Sequence, residues 1–372
     1  MNENSLKQPS EEDWRNAFQQ AQQPVPRPNI LVCGYTGCGK TSLIKALLGD
    51  VVPEGKIGAG KPLTQGFDCY ENHLVRIYDS KGMENGDSEA AFLDVTRDFI
   101  RKTREKDLMT TDNHIHLVWY AIQAPGARVT NTDRELIQNI FNPKDVIVCL
   151  TKADGARGNQ KEAMKQEVMK AGIPEERIIF TSDEEGGSIG CSELMERSLQ
   201  MLPAAYKDAF AEAQKVNQEL QIETVRKKKG KAKAIIVTAS TAAAGIGFVP
   251  IPCSDAPLLV AGQTTMIASL AALYGIGFDA VKVGLLPFLA KVAGTSLASS
   301  LLKSIPGLGT LLGGMMTAAI ATALTGAMGW YVQTYFEKCA IAKIKNEPMP
   351  EIPWNPEAFK QFYEQYKKES KG

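Results

Sequence analysis

The 372-residue sequence has no excess charge, because 42 lysines and arginines balance 42 aspartates and glutamates. That balance excludes a chain that binds nucleic acid mainly through its overall field. No recognisable RNA-binding module is present either. Residues that build metal and disulfide frameworks are sparse. The seven cysteines (Cys33, Cys38, Cys69, Cys149, Cys191, Cys253 and Cys339) are scattered, odd in number and without a C-x-x-C pair. Neither a zinc site nor a disulfide scaffold is suggested. Cys33 and Cys149 sit in apolar strand patterns as small core residues. Of the three histidines, His114 and His116 stand two apart with no third ligand in reach, which favours a surface pair over a metal site. No apolar leader opens the polar, acidic start, and a reducing, cytoplasmic setting is expected. Mean hydropathy is slightly negative, −0.17, against a protein of many membrane spans.

What is present is concentrated in one stretch, Asn29-Ile-Leu-Val-Cys33-Gly34-Tyr-Thr-Gly37-Cys38-Gly39-Lys40-Thr41-Ser42. A short apolar strand runs into a glycine-rich turn and then a helix. Gly34, Gly39, Lys40 and Thr41 occupy the fixed places of G-x-x-x-x-G-K-[ST]. Glycines let successive backbone N–H groups, from Gly37 and Cys38 on to Ser42, converge on a phosphate chain at the positive end of the helix. Lys40 reaches the β- and γ-phosphates in such a loop, and the Thr41 hydroxyl binds Mg²⁺.

Residues 1–28 are a polar prelude. Ser10-Glu-Glu-Asp13 reads as a capping box opening a helix to about Gln22, which Pro24, Pro26 and Pro28 stop. It is expected to be a solvated arm, with packing on the next domain as the other reading. From 29 to 203 strands alternate with helices. Strands are predicted at Ile30–Cys33, Phe67–Tyr70, Leu74–Asp79, Ile115–Ile122, Val146–Thr151 and Arg177–Thr181. Helices fall near Thr41–Leu48, Ser88–Arg104, Thr132–Phe141, Asn159–Ala171 and Cys191–Met201. This is an α/β pattern, a mostly parallel sheet with ligands at the carboxyl ends of its strands. Only Glu71-Asn72-His73 separates the second and third strands, so they form an antiparallel hairpin.

With that hairpin the region resembles Ras-like P-loop GTPases, and further motifs arrive in the order of that class. Asp79-Ser-Lys-Gly82 matches D-x-x-G, which implies that Asp79 holds the Mg²⁺ shell and the Gly82 N–H meets the γ-phosphate. Thr151-Lys152-Ala-Asp154 matches [NT]-K-x-D. A carboxylate there accepts two hydrogen bonds from guanine that adenine cannot supply, which selects GTP or GDP over ATP. Thr181-Ser182-Asp183 stands where the family has S-A-[KL], with the Ser182 N–H facing the guanine O6. Thr64, in Lys61-Pro-Leu-Thr64, is the expected switch I threonine, contacting Mg²⁺ and γ-phosphate. Lys40, Thr64 and Gly82 are thus the expected catalytic groups, and Thr41, Thr64 and Asp79 the metal set. Met83 replaces the glutamine that orients water in Ras-like enzymes, which implies slow hydrolysis completed by a partner, a dimer mate or an ion. Gly37 stands where Era- and TrmE-like members commonly carry a potassium-binding asparagine. Arg128 is read as a local partner of Asp133, with phosphate contact across a dimer as the second reading.

The texture changes after Pro203. A polar helix is predicted over Ala204–Val225, followed by the basic run Arg226, Lys227, Lys228, Lys229, Lys231 and Lys233. Ala234–Ser254, Ala256–Phe278 and Ser304–Phe336 are long uncharged runs, each nominally able to cross a bilayer. Their small residues, with Gln263, Thr264, Thr265, Pro250, Pro252 and Pro306, equally suit a close-packed soluble bundle. The pieces P-I-P-x-x-D, ending at Asp255, and I-P-G-x-G, from Ile305, resemble a helical domain of YfjP-type and YcjF inner-membrane proteins. The resemblance spans roughly 220–340 and implies a membrane-associated module. The basic run suits an anionic cytoplasmic leaflet. The expected domains are an arm over 1–28, a GTPase domain over 29–203, an all-α domain over 204–347 and an amphipathic tail over 348–372. The functional expectation is a slow GTP-hydrolysing switch acting on the helical module at a membrane surface, peripheral or inserted. The alternatives are a soluble, GTP-controlled oligomerisation protein and a ribosome-assembly GTPase.

Overall fold

Apolar runs of six residues bounded by turns make central strands buried on both faces, as β1 (Asn29–Gly34) is here. The computed structural model describes residues 10–21, 26–51, 61–64, 66–82, 88–105, 114–125, 128–184, 187–246, 256–284, 318–351 and 361. The chain divides into two units, Pro24–Gln221 and a second formed by Met1–Gln23 with Ile222–Gly372. The first helix, α1 (Glu11–Ala21), belongs to the second unit.

In the Pro24–Gln221 unit, β1 leads to α2 (Lys40–Leu48), then β2 (Lys61–Thr64), β3 (Phe67–Glu71), β4 (Arg76–Ser80) and α3 (Glu89–Glu105). There follow β5 (Leu117–Gln123), α4 (Asn131–Glu135), β6 (Val146–Thr151), α5 (Gly158–Lys170) and β7 (Ile178–Phe180). A small hairpin, β8 (Ser182–Glu184) with β9 (Gly187–Ile189), precedes α6 (Cys191–Met201) and α7 (Ala204–Ala213). The sheet order is β2-β3-β4-β1-β5-β6-β7. β3 runs against both neighbours, while β4, β1, β5, β6 and β7 are parallel. The hairpin between β3 and β4 is closed by Asn72, whose Oδ1 accepts from the N–H groups of Leu74 at 2.8 Å and Val75 at 2.9 Å.

Alternation along the strands splits the core in two. Leu31, Cys33, Val118, Tyr120 and Val148 face one side, with Phe99, Leu136 and Val168 from the helices over it. Ile30, Val32, Leu117, Trp119 and Ile147 face the other, with Ile44, Leu47, Leu194 and Phe210. Phe210 lies in α7, so this core extends beyond the Pro203 boundary expected from the change of texture.

Four expectations are corrected. Lys61–Thr64, read as loop, is edge strand β2, with an irregularity between Pro62 and Thr64 that accommodates the missing proline N–H. The helix predicted to Phe141 is a single α turn followed by a π turn over Leu136–Ile140. The helix predicted over Ala204–Val225 is two helices, α7 and α8 (Gln218–Lys227). Gln214 breaks it, because its Oε1 accepts from the N–H groups of Val216 and Asn217, both at 2.8 Å, and Asn217 then caps Leu220 N–H at 2.9 Å.

The fourth concerns α1. Ser10 and Asp13 form the predicted capping box, Asp13 N–H to Ser10 Oγ at 3.1 Å and Ser10 N–H to Asp13 Oδ2 at 2.8 Å. Trp14, Ala17 and Phe18 are nevertheless buried in the helical unit, so α1 is not a solvated arm. α1 packs against α10 (Ala256–Tyr274) and α11 (Phe278–Gly284), in one core with α9 (Lys229–Ile246) and α12 (Ala318–Lys345). Phe18 meets Phe278 edge-on at 5.4 Å, and Lys282 pairs with Glu11 at 2.9 Å. α9 and α12 pack closely at Gly329, where an added Cβ would lie 2.8 Å from Ile236 Cγ1 and 3.0 Å from Met266 Sδ. Gln263 Nε2 donates to Thr325 Oγ1 at 3.2 Å, a polar link between α10 and α12. Among the described residues no helix is long and apolar enough to cross a membrane. The P-I-P-x-x-D and I-P-G-x-G pieces, and the tail beyond Glu351 except Gln361, lie outside the described residues.

Candidate nucleotide-binding site

The loop Gly34–Gly39 leaves the carboxyl end of β1 beside the ends of β4, β5 and β6. Gly34 pairs with Ala121 of β5, and a Cβ on it would lie 2.3 Å from the Ala121 carbonyl oxygen. Only glycine allows that approach, at φ 149°. Lys40 opens α2 and is buried, its Nζ donating to the carbonyls of Gly34 at 3.1 Å and Tyr35 at 3.0 Å. The ammonium is therefore folded back onto its own loop.

Thr41 and Asp79 come together as the motifs require. The Thr41 hydroxyl donates to Asp79 Oδ2 at 3.0 Å, while Asp79 Oδ1 is buried and has no hydrogen-bond partner. Burial pushes the Asp79 carboxyl up to about 6, against the opposing pull of Lys40 and of the Thr41 hydrogen bond. A buried carboxylate oxygen with no donor, next to a threonine hydroxyl, is the oxygen-rich chemistry that Mg²⁺ takes. Gly82 closes against the loop at φ 81°, where a Cβ would lie 2.6 Å from Thr36 N and 2.9 Å from Lys40 Nζ. Met83, the expected departure from the water-orienting glutamine, lies outside the described residues.

The third motif reaches the same loop through its first residue. Thr151 Oγ1 donates to the Cys38 carbonyl at 2.6 Å and lies 3.2 Å from that of Ile122. Lys152 follows in the left-handed region at φ 54°, and Asp154 is exposed in the first turn after it. The Ala153 N–H donates to the Thr181 carbonyl at 3.1 Å, which sets Ser182 beside the Lys152–Asp154 turn. Ser182 is buried, and Asp183 follows it in β8. Gly37, Cys38, Gly39 and Ser42 complete the loop and first turn, with Gly37 and Ser42 exposed and Cys38 buried. Thr64 ends β2 opposite Phe67, in the strand rather than in a loop.

Other residues singled out from the sequence fall elsewhere. Arg128 is exposed, and Asp133 is buried with Thr130 and Tyr120 as its partners instead. His116 Nδ1 accepts from the Asn29 N–H at 2.9 Å, and the His114 carbonyl accepts from Asn29 Nδ2 at 2.8 Å. That pair therefore anchors the start of β1, and no group of three metal-binding side chains occurs among the described residues.

Two contributors were missed. Gln123 Nε2 donates to the Gly37 carbonyl at 2.9 Å, and Tyr35 OH lies 3.0 Å from Thr130 Oγ1. Gln123 was accessible in principle, since it ends β5 in register with Thr151 of the third motif. Tyr35 to Thr130 spans 95 residues and carries no local signal.

No protein-family model matches the chain, and no curated protein matches it in sequence. Among solved structures, Toc33 from Arabidopsis thaliana in complex with Mg²⁺ and GMPPNP is similar at 15% identity and a TM-score of 0.34, over 54% of this chain and 91% of that one. A dimerization-deficient mutant of Toc33 matches at 14% identity and 0.34, over 56% of this chain and 96% of that one.

Proposed function

We propose that the Pro24–Gln221 unit binds GTP or GDP with Mg²⁺ and hydrolyses GTP slowly, as a switch whose nucleotide state acts on the helical unit at a membrane surface. The observation that carries the reading is the meeting of Lys40, Thr41, Asp79 and Gly82 on one glycine-rich loop, with an Asp79 oxygen left unpartnered. Thr41 and Asp79 would hold Mg²⁺, with Thr64 as the third expected group. Bound there, the ion supplies positive charge to the β- and γ-phosphate oxygens.

The chain's own residues do the rest. Lys40 exchanges the Gly34 and Tyr35 carbonyls for phosphate oxygens, which trades two neutral acceptors for charged ones. The Gly82 N–H faces the γ-phosphate. Asp154 accepts from guanine N1 and N2, Lys152 covers the base with its stem, and the Ser182 N–H faces O6. With Met83 in place of a water-orienting glutamine, the attacking water lacks a protein acceptor at that position, and intrinsic turnover is slow. A homodimer in which Arg128 reaches the partner's phosphate is one source of completion.

Asp154→Asn tests the base assignment. It is expected to weaken GTP at least tenfold, the effect of losing a charge-assisted pair worth about 1.5–3 kcal/mol. It should strengthen xanthosine triphosphate in turn. Unchanged preference between the two nucleotides in a titration would remove the guanine reading. The soluble alternative, a GTP-controlled oligomerising protein, draws support from the Gln263–Thr325 link, which satisfies polar groups inside the helical unit.

A further inference from the structure

The hydrogen bonds around α4 join two parts of the site that the motifs leave separate. α4 is only five residues long and opens with a complete capping box at Thr130. Asp133 Oδ2 accepts from Thr130 N–H at 2.6 Å and from Thr130 Oγ1 at 2.8 Å, and Asp133 N–H donates back to Thr130 Oγ1 at 3.1 Å. Asp133 Oδ1 takes the Tyr120 hydroxyl of β5 at 2.5 Å. Asp133 is 1% exposed, so a buried carboxylate with three donors fixes this cap to the central sheet.

The proton count then settles the direction of the next bond. Thr130 has one hydroxyl proton, and Asp133 takes it. Tyr35 must therefore donate to Thr130 Oγ1, which fills the second lone pair of that oxygen. Tyr35 belongs to the phosphate loop. Two residues further on, Thr132, 2% exposed, donates to Glu89 Oε2 at 2.6 Å. Glu89 opens α3, the helix that follows the Gly82 segment.

We propose that the Thr130–Asp133 cap is a brace that positions the phosphate loop and the base of α3 together, with Tyr35 and Thr132 as its two arms. The inference rests on the nucleotide reading above. Its physical content is what happens when Lys40 turns to phosphate. The ammonium then leaves the carbonyls of Gly34 and Tyr35, to which it donates at 3.1 and 3.0 Å. Tyr35 still ties the loop to Thr130. The loop thus keeps its curl, and the Tyr35 arm contributes to GDP and GTP alike. The Thr132 arm bears on α3, the helix after Gly82, and the Gly82 N–H is the group read above as facing the γ-phosphate. That arm contributes to GTP alone. Both are positioning residues, since their hydroxyls are taken up by Thr130 and by Glu89.

The test is titration of full-length protein with GDP and with a non-hydrolysable GTP analogue, each with Mg²⁺, for wild type, Tyr35→Phe, Thr132→Val and Thr132→Ser. Tyr35→Phe is expected to weaken both nucleotides about fivefold, the equivalent of one neutral hydrogen bond. Thr132→Val is expected to weaken the GTP analogue by a similar factor and to leave GDP within twofold, and Thr132→Ser to restore the wild-type ratio. A merely structural role would lower thermal stability without moving that ratio. If wild type binds and Thr132→Val shifts both nucleotides equally, or neither variant changes affinity by more than twofold, the brace is wrong and the nucleotide reading stands. Should wild type bind no guanine nucleotide, the underlying reading fails first.

Discussion

Asp79 carries opposite demands at one carboxyl. Its folded pKa of about 6 lies above the ordinary value of 3.8 because burial disfavours the charged form. The folded protein therefore holds this proton more tightly than the unfolded chain. The stability it contributes is fully present below 3.8 and is lost as pH rises through 6. At pH 7.5 and without metal, the ionised group costs roughly 3 kcal/mol. Asp79→Asn keeps an acceptor for the Thr41 hydroxyl and removes the charge. We expect it to raise the melting temperature of metal-free protein at pH 7.5 by roughly 5 °C, and the gain to shrink as pH is lowered toward 4. If the proposed function holds, Mg²⁺ with GTP should stabilise wild type and leave this variant unchanged. A pH-independent difference between the two melting curves would show that Asp79 is not the destabilising charge. This site was legible at residue level where backbone geometry dictates residue type. Gly34 is needed against the Ala121 carbonyl, and Gly82 against Thr36. Tyr35 was not legible, because its bond joins residues 95 apart in the chain and any of several polar types could make it.

At the scale of elements, packing of α9, α10 and α12 turns on whether a glycine has neighbours. A Cβ at Gly329 would press on Ile236 at 2.8 and 2.9 Å and on Met266 at 3.0 Å, whereas one at Gly262 in α10 would meet nothing within 4 Å. Gly329→Val should therefore cost roughly 2 kcal/mol through overpacking, and Gly262→Ala should gain up to about 1 kcal/mol from helix propensity. Thermal melts that moved the same way for both would contradict the close approach of α12 to α9. Elements whose pattern and boundaries coincide were legible. Val146–Thr151 and Cys191–Met201 occur as predicted, since each is an apolar or amphipathic run between strong stops. Others depended on tertiary context. Lys61-Pro-Leu-Thr64 has no alternation of its own and is a strand because β3 offers it an edge. No glycine or proline breaks 204–225, and the stop is the Gln214 side chain bonding the N–H groups of Val216 and Asn217. α1 was read as an arm because its sequence is mostly polar, yet Trp14 and Phe18 suffice to bury one face.

For the whole molecule, the neutral balance of charge leaves any membrane contact to a local patch, and the structure narrows that patch. Lys228 Nζ donates to the Leu273 carbonyl at 2.7 Å, capping the end of α10, and Lys229 Nζ lies 5.5 Å from the centre of the Trp330 ring. Lys227 pairs with Glu223 at 3.0 Å, an exposed contact of little strength. Reversing Lys228 or Lys229 would thus disturb the helical core as well as the charge, and binding lost that way would say nothing about lipid. Arg226, Lys231 and Lys233 are exposed and outside that core. Each basic side chain near an anionic leaflet is worth about 1 kcal/mol, so replacing these three by glutamate should weaken binding at least tenfold. We expect full-length protein to co-sediment with vesicles rich in phosphatidylserine, far less with phosphatidylcholine alone, and to be released as salt is raised. The triple variant should stay in the supernatant while still melting in a cooperative transition. If wild type remains in the supernatant with anionic vesicles, whether loaded with GTP, with GDP or with neither, the basic run is a solvated helix face. The proposed switch would then act through protein contacts of the helical unit.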